Sequence, residues 1–199
     1  DRVWGASVVA FRANKGYVKA VAPGLNQSTN RQLIEQLLQD NVPLLESDID
    51  EGRKIRLYFK GITFKLIEGQ TLSPFLRSAM EIAGIETITN NLGIGTIASL
   101  PATYAKMTER DNVERKINWA RGGLIGQEGD KIEQTVELVK RVWSEKWNTW
   151  YYTGLTKEDQ VLFFAYKGDL EIGSSIAIEG VVKAHRENST QLNRVKVIK

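Results

Sequence analysis

The sequence predicts an α+β protein: a mostly helical N-terminal region, residues 1–123, followed by a five-stranded OB-like β-barrel, residues 124–199. Three observations carry this. Upstream of Gly122, apolar residues recur at helical spacing between cap signals. From Asp130 the apolar period falls to two. Between them Gly122–Gly129, with four glycines in eight residues, has the composition of a linker.

In the first stretch Trp4, Val8 and Phe11 stand at helical spacing and Gly16 can close a helix; Ser7 to Phe11 also suits a strand, but helix is the better reading. After Pro23-Gly24 the cluster Asn26-Gln27-Ser28-Thr29 offers N-caps for a helix through Asp40, with Leu33, Ile34, Leu37 and Leu38 as its apolar stripe. Ile55, Leu57 and Phe59, then Ile62, Phe64 and Leu66, alternate with polar neighbours around Lys60-Gly61, which predicts a hairpin. Leu72-Ser73-Pro74 opens a helix that stops at Gly84, because Ser73 can accept from free amides while Pro74 takes the first position, where a missing N–H costs nothing. Pro101 is expected to open a helix through about Arg110, and Asn112 to Ala120 to form another that ends at Gly122-Gly123.

From Asp130, Ile132, Val136, Leu138 and Val142 are expected on one face of a strand, with Lys131, Glu133, Glu137 and Arg141 on the other. Four more segments rich in aromatic and β-branched residues follow: Trp147–Thr153, Val161–Tyr166, Ser175–His185 and Thr190–Ile198. Turn-type residues separate them. Five short strands in this length fit a compact barrel or a small sandwich, and the OB-fold in particular, whose second and third strands and first and last hairpin loops receive oligonucleotides or oligosaccharides.

Composition narrows the function classes. Apolar residues make up 42% and charged residues 26% of the chain, as in ordinary globular proteins. No apolar run approaches the roughly 18 residues of a membrane span, and the N-terminus has no signal-peptide pattern, so the expectation is a cytoplasmic protein without a membrane partner. Asp1 is not a methionine, which fits a fragment or a processed form. Cysteine is absent, which removes disulfides, thiolate nucleophiles and Cys-based zinc sites. The net charge of +3 permits nucleic-acid binding without demonstrating it. Its distribution says more: residues 181–199 carry Lys183, Arg186, Arg194, Lys196 and Lys199 against Glu187 alone.

The second strand and its preceding loop contain Trp147, Trp150, Tyr151 and Tyr152, and the third contributes Phe163, Phe164 and Tyr166. Alternation gives both faces of the second strand aromatic content, more than a small barrel can bury, so some rings should be exposed. Exposed rings stack on bases irrespective of sequence while nearby cations follow the phosphates. The candidate nucleic-acid-binding residues are therefore Trp147, Trp150, Tyr152 and Phe163 for stacking, with Lys183, His185, Arg186 and Arg194 around the last loop as polar contacts. Core packing of the same rings, and a lysine-protected sheet edge, are the structural alternatives.

The run Gly180-Val181-Val182-Lys183-Ala184-His185, followed by Thr190-Gln191-Leu192-Asn193-Arg194-Val195-Lys196-Val197, resembles the closing strands of a group of little-characterised tailed-phage proteins with the pattern G-x-V-K-x-H and then Q-x-x-L-x-R-V. The spacing around Gln191 and Leu192 is shorter here. The resemblance reaches back to about Asp130 and implies an OB-like domain in a bacteriophage nucleic-acid-handling protein, which would act in the host cytoplasm.

Catalytic motifs find little support. His185 is the single histidine, so neither a histidine metal site nor a Ser-His-acid triad is readily built. Gly93-Ile94-Gly95 lacks the lysine and third glycine of a phosphate loop. Asp48, Asp50 and Glu51 read as a solvated acidic turn, and the charges of residues 109–121 as solvated ion pairs. The sequence thus predicts a non-catalytic, cofactor-free protein of phage or bacterial DNA replication or recombination that binds single-stranded DNA or RNA. Its helical region would dock a replication or recombination partner. The alternatives are a protein-interaction or structural module of a phage complex, or an accessory fragment of a larger DNA-processing enzyme.

Overall fold

The structure is a computed structural model that describes residues 1–64, 71–87 and 91–198. The described residues form five helices and then five strands: α1 (Arg2–Ala13), α2 (Asn30–Gln39), α3 (Glu46–Gly61), α4 (Pro74–Gly84), α5 (Asn91–Trp119), β1 (Lys131–Ser144), β2 (Thr149–Leu155), β3 (Val161–Tyr166), β4 (Ser175–Arg186) and β5 (Ser189–Ile198). The chain divides into two units, Asp1–Thr108 and Glu109–Lys199. The division falls inside α5 and not in the glycine-rich stretch that composition marked as the linker. Among the described residues no helix is long and apolar enough to cross a membrane.

The first unit is helical. Two expected start signals operate: Thr29 accepts from the Gln32 amide in a reciprocal capping box, and Ser73 accepts from the Leu76 amide with Pro74 in the first turn. Trp4 and Val8 of α1 pack with Ile55, Phe59, Leu72, Ala79, Ile97 and Leu100. α1 and α3 meet through glycine, since a Cβ on Gly52 would lie 2.6 Å from the Gly5 nitrogen and the Trp4 carbonyl carbon. Asn30 is fully buried and pins the loop before α2, its oxygen accepting from Val18 N–H at 2.8 Å and its amide donating to the Gly16 carbonyl at 3.0 Å.

Two expectations for this unit are corrected. Through Gly61 the expected hairpin over 55–66 is instead α3, because Ile55 and Phe59 share one helical face and, with Ile62 at its C-cap, are each buried at 2% or less, while Leu57 points outward at 65% exposure. Leu66, assigned to that hairpin, lies outside the described residues. Pro101 does not open a helix but sits inside α5. Ile97, Ala98 and Leu100 are fully buried beside it, and hydroxyls of Ser99 and Thr103 donate to the Thr96 and Ser99 carbonyls. Core packing on the turn before Pro101 outweighs the amide the proline lacks.

The second unit closes its strands into a ring in the order β1-β2-β3-β5-β4, with every pairing antiparallel except β3 with β5. Val136, Leu138, Tyr152, Leu162, Phe164, Ile178, Val182 and Leu192 fill it. The end of α5 is tied to the strands by Lys116 to Glu137 at 3.4 Å and by the Asn188 amide donating to the Ile117 carbonyl at 3.1 Å. The glycine-rich stretch is tied down too. Gly122 N–H donates to the Asp159 carbonyl at 3.0 Å, a Cβ there would collide with the Glu158 carbonyl at 1.9 Å, and Ile125 enters the core.

Candidate nucleic-acid interface

A bulge in β1 decides which of that strand's side chains face outward. The register with β2 shifts between Leu138 and Lys140, so the alternation that sends Val136 and Leu138 inward is reversed beyond it. Lys140 and Val142 consequently face outward, and Val142, expected inside, is 52% exposed. Arg141 and Trp143 take the inward parity at one end of the ring, where they pair with Tyr152 and Trp150 of β2.

On the outer face of β2 and β3, Tyr151 and Phe163 lie with ring planes 4° apart and centroids 5.6 Å apart. They lie in an open groove of about 510 Å³. Val142, Thr153 and Val161 extend its strand wall, Ile117 contributes from the end of α5, and Arg186, Asn188, Ser189 and Gln191 close it from the β4–β5 hairpin. The groove's charged lining consists of Lys140 and Arg186; no carboxylate contributes. Neither cation has an ion-pair partner among the described residues. An apolar floor beside two uncommitted positive charges suits a flat, aromatic, anionic ligand.

Of the residues expected to bind, Phe163 and Arg186 line this groove. Tyr152 does not: it is fully buried, and its hydroxyl donates to the Gly168 carbonyl at 2.9 Å while accepting from Leu170 N–H at 2.8 Å. It is a core residue, and the adjacent Tyr151, not assigned to the site from the sequence, lines the groove beside Phe163. Trp150 packs on the core with one side, stands edge-on to Trp143 at 5.1 Å and carries the Arg141 guanidinium 4.7 Å from its ring centre. Trp147 is 64% exposed in the β1–β2 loop with the Lys146 ammonium 5.2 Å away. Both lie outside the groove lining.

The remaining three also lie elsewhere. Lys183 is exposed at a register shift between Val182 and Ala184, and Arg194 is exposed where β5 makes a second shift, with a φ of 51°. His185 is engaged internally: its Nε2–H donates to the Gly126 carbonyl at 3.1 Å and its Nδ1 accepts from the Thr190 hydroxyl at 3.2 Å. The Thr190 oxygen in turn accepts from Ile125 N–H at 3.0 Å, so His185 fastens the glycine-rich stretch to the ring. Lys140, Tyr151, Asn188 and Gln191 went unassigned because no motif marks them; they meet only through strand register.

Among the described residues no three histidine or acidic side chains converge to hold a metal ion. Asp48 is buried, paired with Arg12, and not in a solvated acidic turn. Compared with protein-family models, curated proteins and solved structures, the chain has no match.

Proposed function

We propose that residues 109–199 form an OB-like barrel that binds single-stranded DNA or RNA, without catalysis, on the outer face of β2 and β3. The strand order supports the fold: β4-β1-β2-β3 is the Greek-key sequence of neighbours, and β5 closes the ring beside β3. The groove lies on the strand pair, and beside the last hairpin loop, where OB barrels take oligonucleotides. One observation carries the binding proposal: the parallel Tyr151–Phe163 rings in a groove whose charges are Lys140 and Arg186. Bases stack on such rings whatever their identity, and the two cations follow the backbone. The resemblance of Gly180–Val197 to phage proteins supports a nucleic-acid-handling role, and replication or recombination of a phage or bacterial genome is the setting proposed for it.

A second reading, a protein-interaction module, draws on the exposed apolar surface of Val142, Trp143 and Trp147, at 52%, 41% and 64%. Titration of a fluorescent single-stranded oligonucleotide with the whole chain at rising salt separates the two. Strand binding should weaken with salt, and replacing Lys140 or Arg186 by alanine should each flatten the logarithmic slope by about 0.7. Absence of binding, or binding indifferent to salt, gives the lead to the interaction module.

A further inference from the structure

We propose that Gln191 makes one position of this groove base-selective, with adenine the favoured base; the proposal rests on the single-strand reading above. Strand register places Gln191 in a row with the stacking surface. Thr153 pairs with Phe163 across β2 and β3, and Phe163 pairs with Gln191 across β3 and β5. All three line the groove. A base lying on Phe163 therefore has the Gln191 carboxamide at its edge.

Two of the groove's other hydrogen-bonding side chains are already engaged within the protein. The Asn188 amide nitrogen is held by the Ile117 carbonyl at 3.1 Å, and the Ser189 hydroxyl donates to the Arg186 carbonyl at 3.2 Å. Gln191 is half-buried, yet its amide has no hydrogen-bond partner among the described residues. No buried side-chain nitrogen or oxygen there lacks a partner, so the amide of Gln191 is open to the groove. It offers one donor group beside one acceptor.

Adenine presents the complementary pair, the N6 amino group beside N7, which glutamine meets with two hydrogen bonds; guanine shows two acceptors on the same edge. Lys140 and Arg186 hold phosphates of any sequence, so selectivity and salt dependence arise from different residues.

The test uses thymidine oligonucleotides of one length carrying a single central adenosine, cytidine or guanosine, titrated against the whole chain and against Gln191→Leu. The adenosine oligonucleotide should bind more tightly by roughly 5- to 150-fold, the range of a bidentate amide–base pair. Gln191→Leu should erase that preference while leaving the salt slope and melting temperature unchanged. Equal affinities in the wild-type chain, a preference for another base, or an adenine preference that survives Gln191→Leu would overturn the assignment while leaving the single-strand reading intact. Failure of every oligonucleotide to bind would instead remove the single-strand reading on which the proposal stands.

Discussion

Tyr151 and Tyr152 are adjacent in sequence and lie on opposite faces of β2, so substitutions at the two should separate the proposed binding from folding. Tyr151→Ala removes one of two parallel rings from the groove wall. At about 1–3 kcal/mol per stacked base, affinity for a single strand should fall roughly 5- to 150-fold. The folded state loses one aromatic pair on the outer face, about 0.5–1.5 kcal/mol beyond area burial. Tyr152→Phe keeps the buried ring but deletes the hydroxyl that bridges Gly168 and Leu170. Leaving those partners unmatched should cost about 1–3 kcal/mol. For a unit this size each kcal/mol moves the melting temperature by roughly 4–8 °C. Oligonucleotide titration and thermal melting on both variants make the assay. The reasoning fails if Tyr152→Phe weakens binding in the folded protein, or if Tyr151→Ala binds like the wild-type chain.

Three further outcomes follow from the packing. A fragment beginning at Glu109 should fold alone, while one beginning at Leu124 should be less stable, having lost Lys116–Glu137, Asn188–Ile117 and Gly122–Asp159; equal melting temperatures would show those ties to be idle. Gly52→Ala should destabilise the helical unit by about 1–3 kcal/mol, read by chemical denaturation, because the added methyl meets α1 backbone atoms rather than a movable side chain. The hydrogen bond from Lys131, with its charge and that of Lys196, holds the Glu179 carboxyl below the usual glutamate range. That contribution is present above the unfolded-state pKa and lost as pH falls through the folded one; an NMR titration should find Glu179 shifted up in Lys131→Ala, and no change would refute the cause.

Much of the architecture was legible because local signals and packing agree. β3 runs from Val161 to Tyr166 as its apolar run predicts, and Thr29 and Ser73 cap the helices that follow them. The failures share a cause. Leu57 alternates with Ile55 and Phe59 in sequence, but it is left in solvent while Ile55 and Phe59 pack at helical spacing, so the apparent first strand is part of α3. Pro101 reads as a boundary in sequence, yet core residues continue on both sides of it, Ile97 and Leu100 before and Tyr104 and Met107 after. In the candidate site, aromatic density marked β2 and β3, and Phe163 lines the groove on their outer face, but composition does not say which parity of β2 faces inward, and one bulged residue near Val139 reverses the faces of β1 beyond it. A bulge has no composition signal, so Val142 is exposed where simple alternation puts it inside, while Tyr152 is buried by the plain alternation of β2. Of the basic C-terminal run only Arg186 reaches the groove, while Lys183 and Arg194 fall at register shifts and His185 inside a hydrogen-bond network, none of which composition marks.

Photocrosslinking tests the central claim most directly. A single-stranded oligonucleotide carrying 5-iodouracil, bound to the whole chain, irradiated and mapped by mass spectrometry, should attach at Tyr151 or Phe163, and attachment should be competed by unlabelled single strand. Crosslinks confined to the helical unit or to the Trp143 and Trp147 end of the β1–β2 hairpin, or none at concentrations that saturate binding, would contradict the assignment of the β2–β3 outer face as the strand-binding surface.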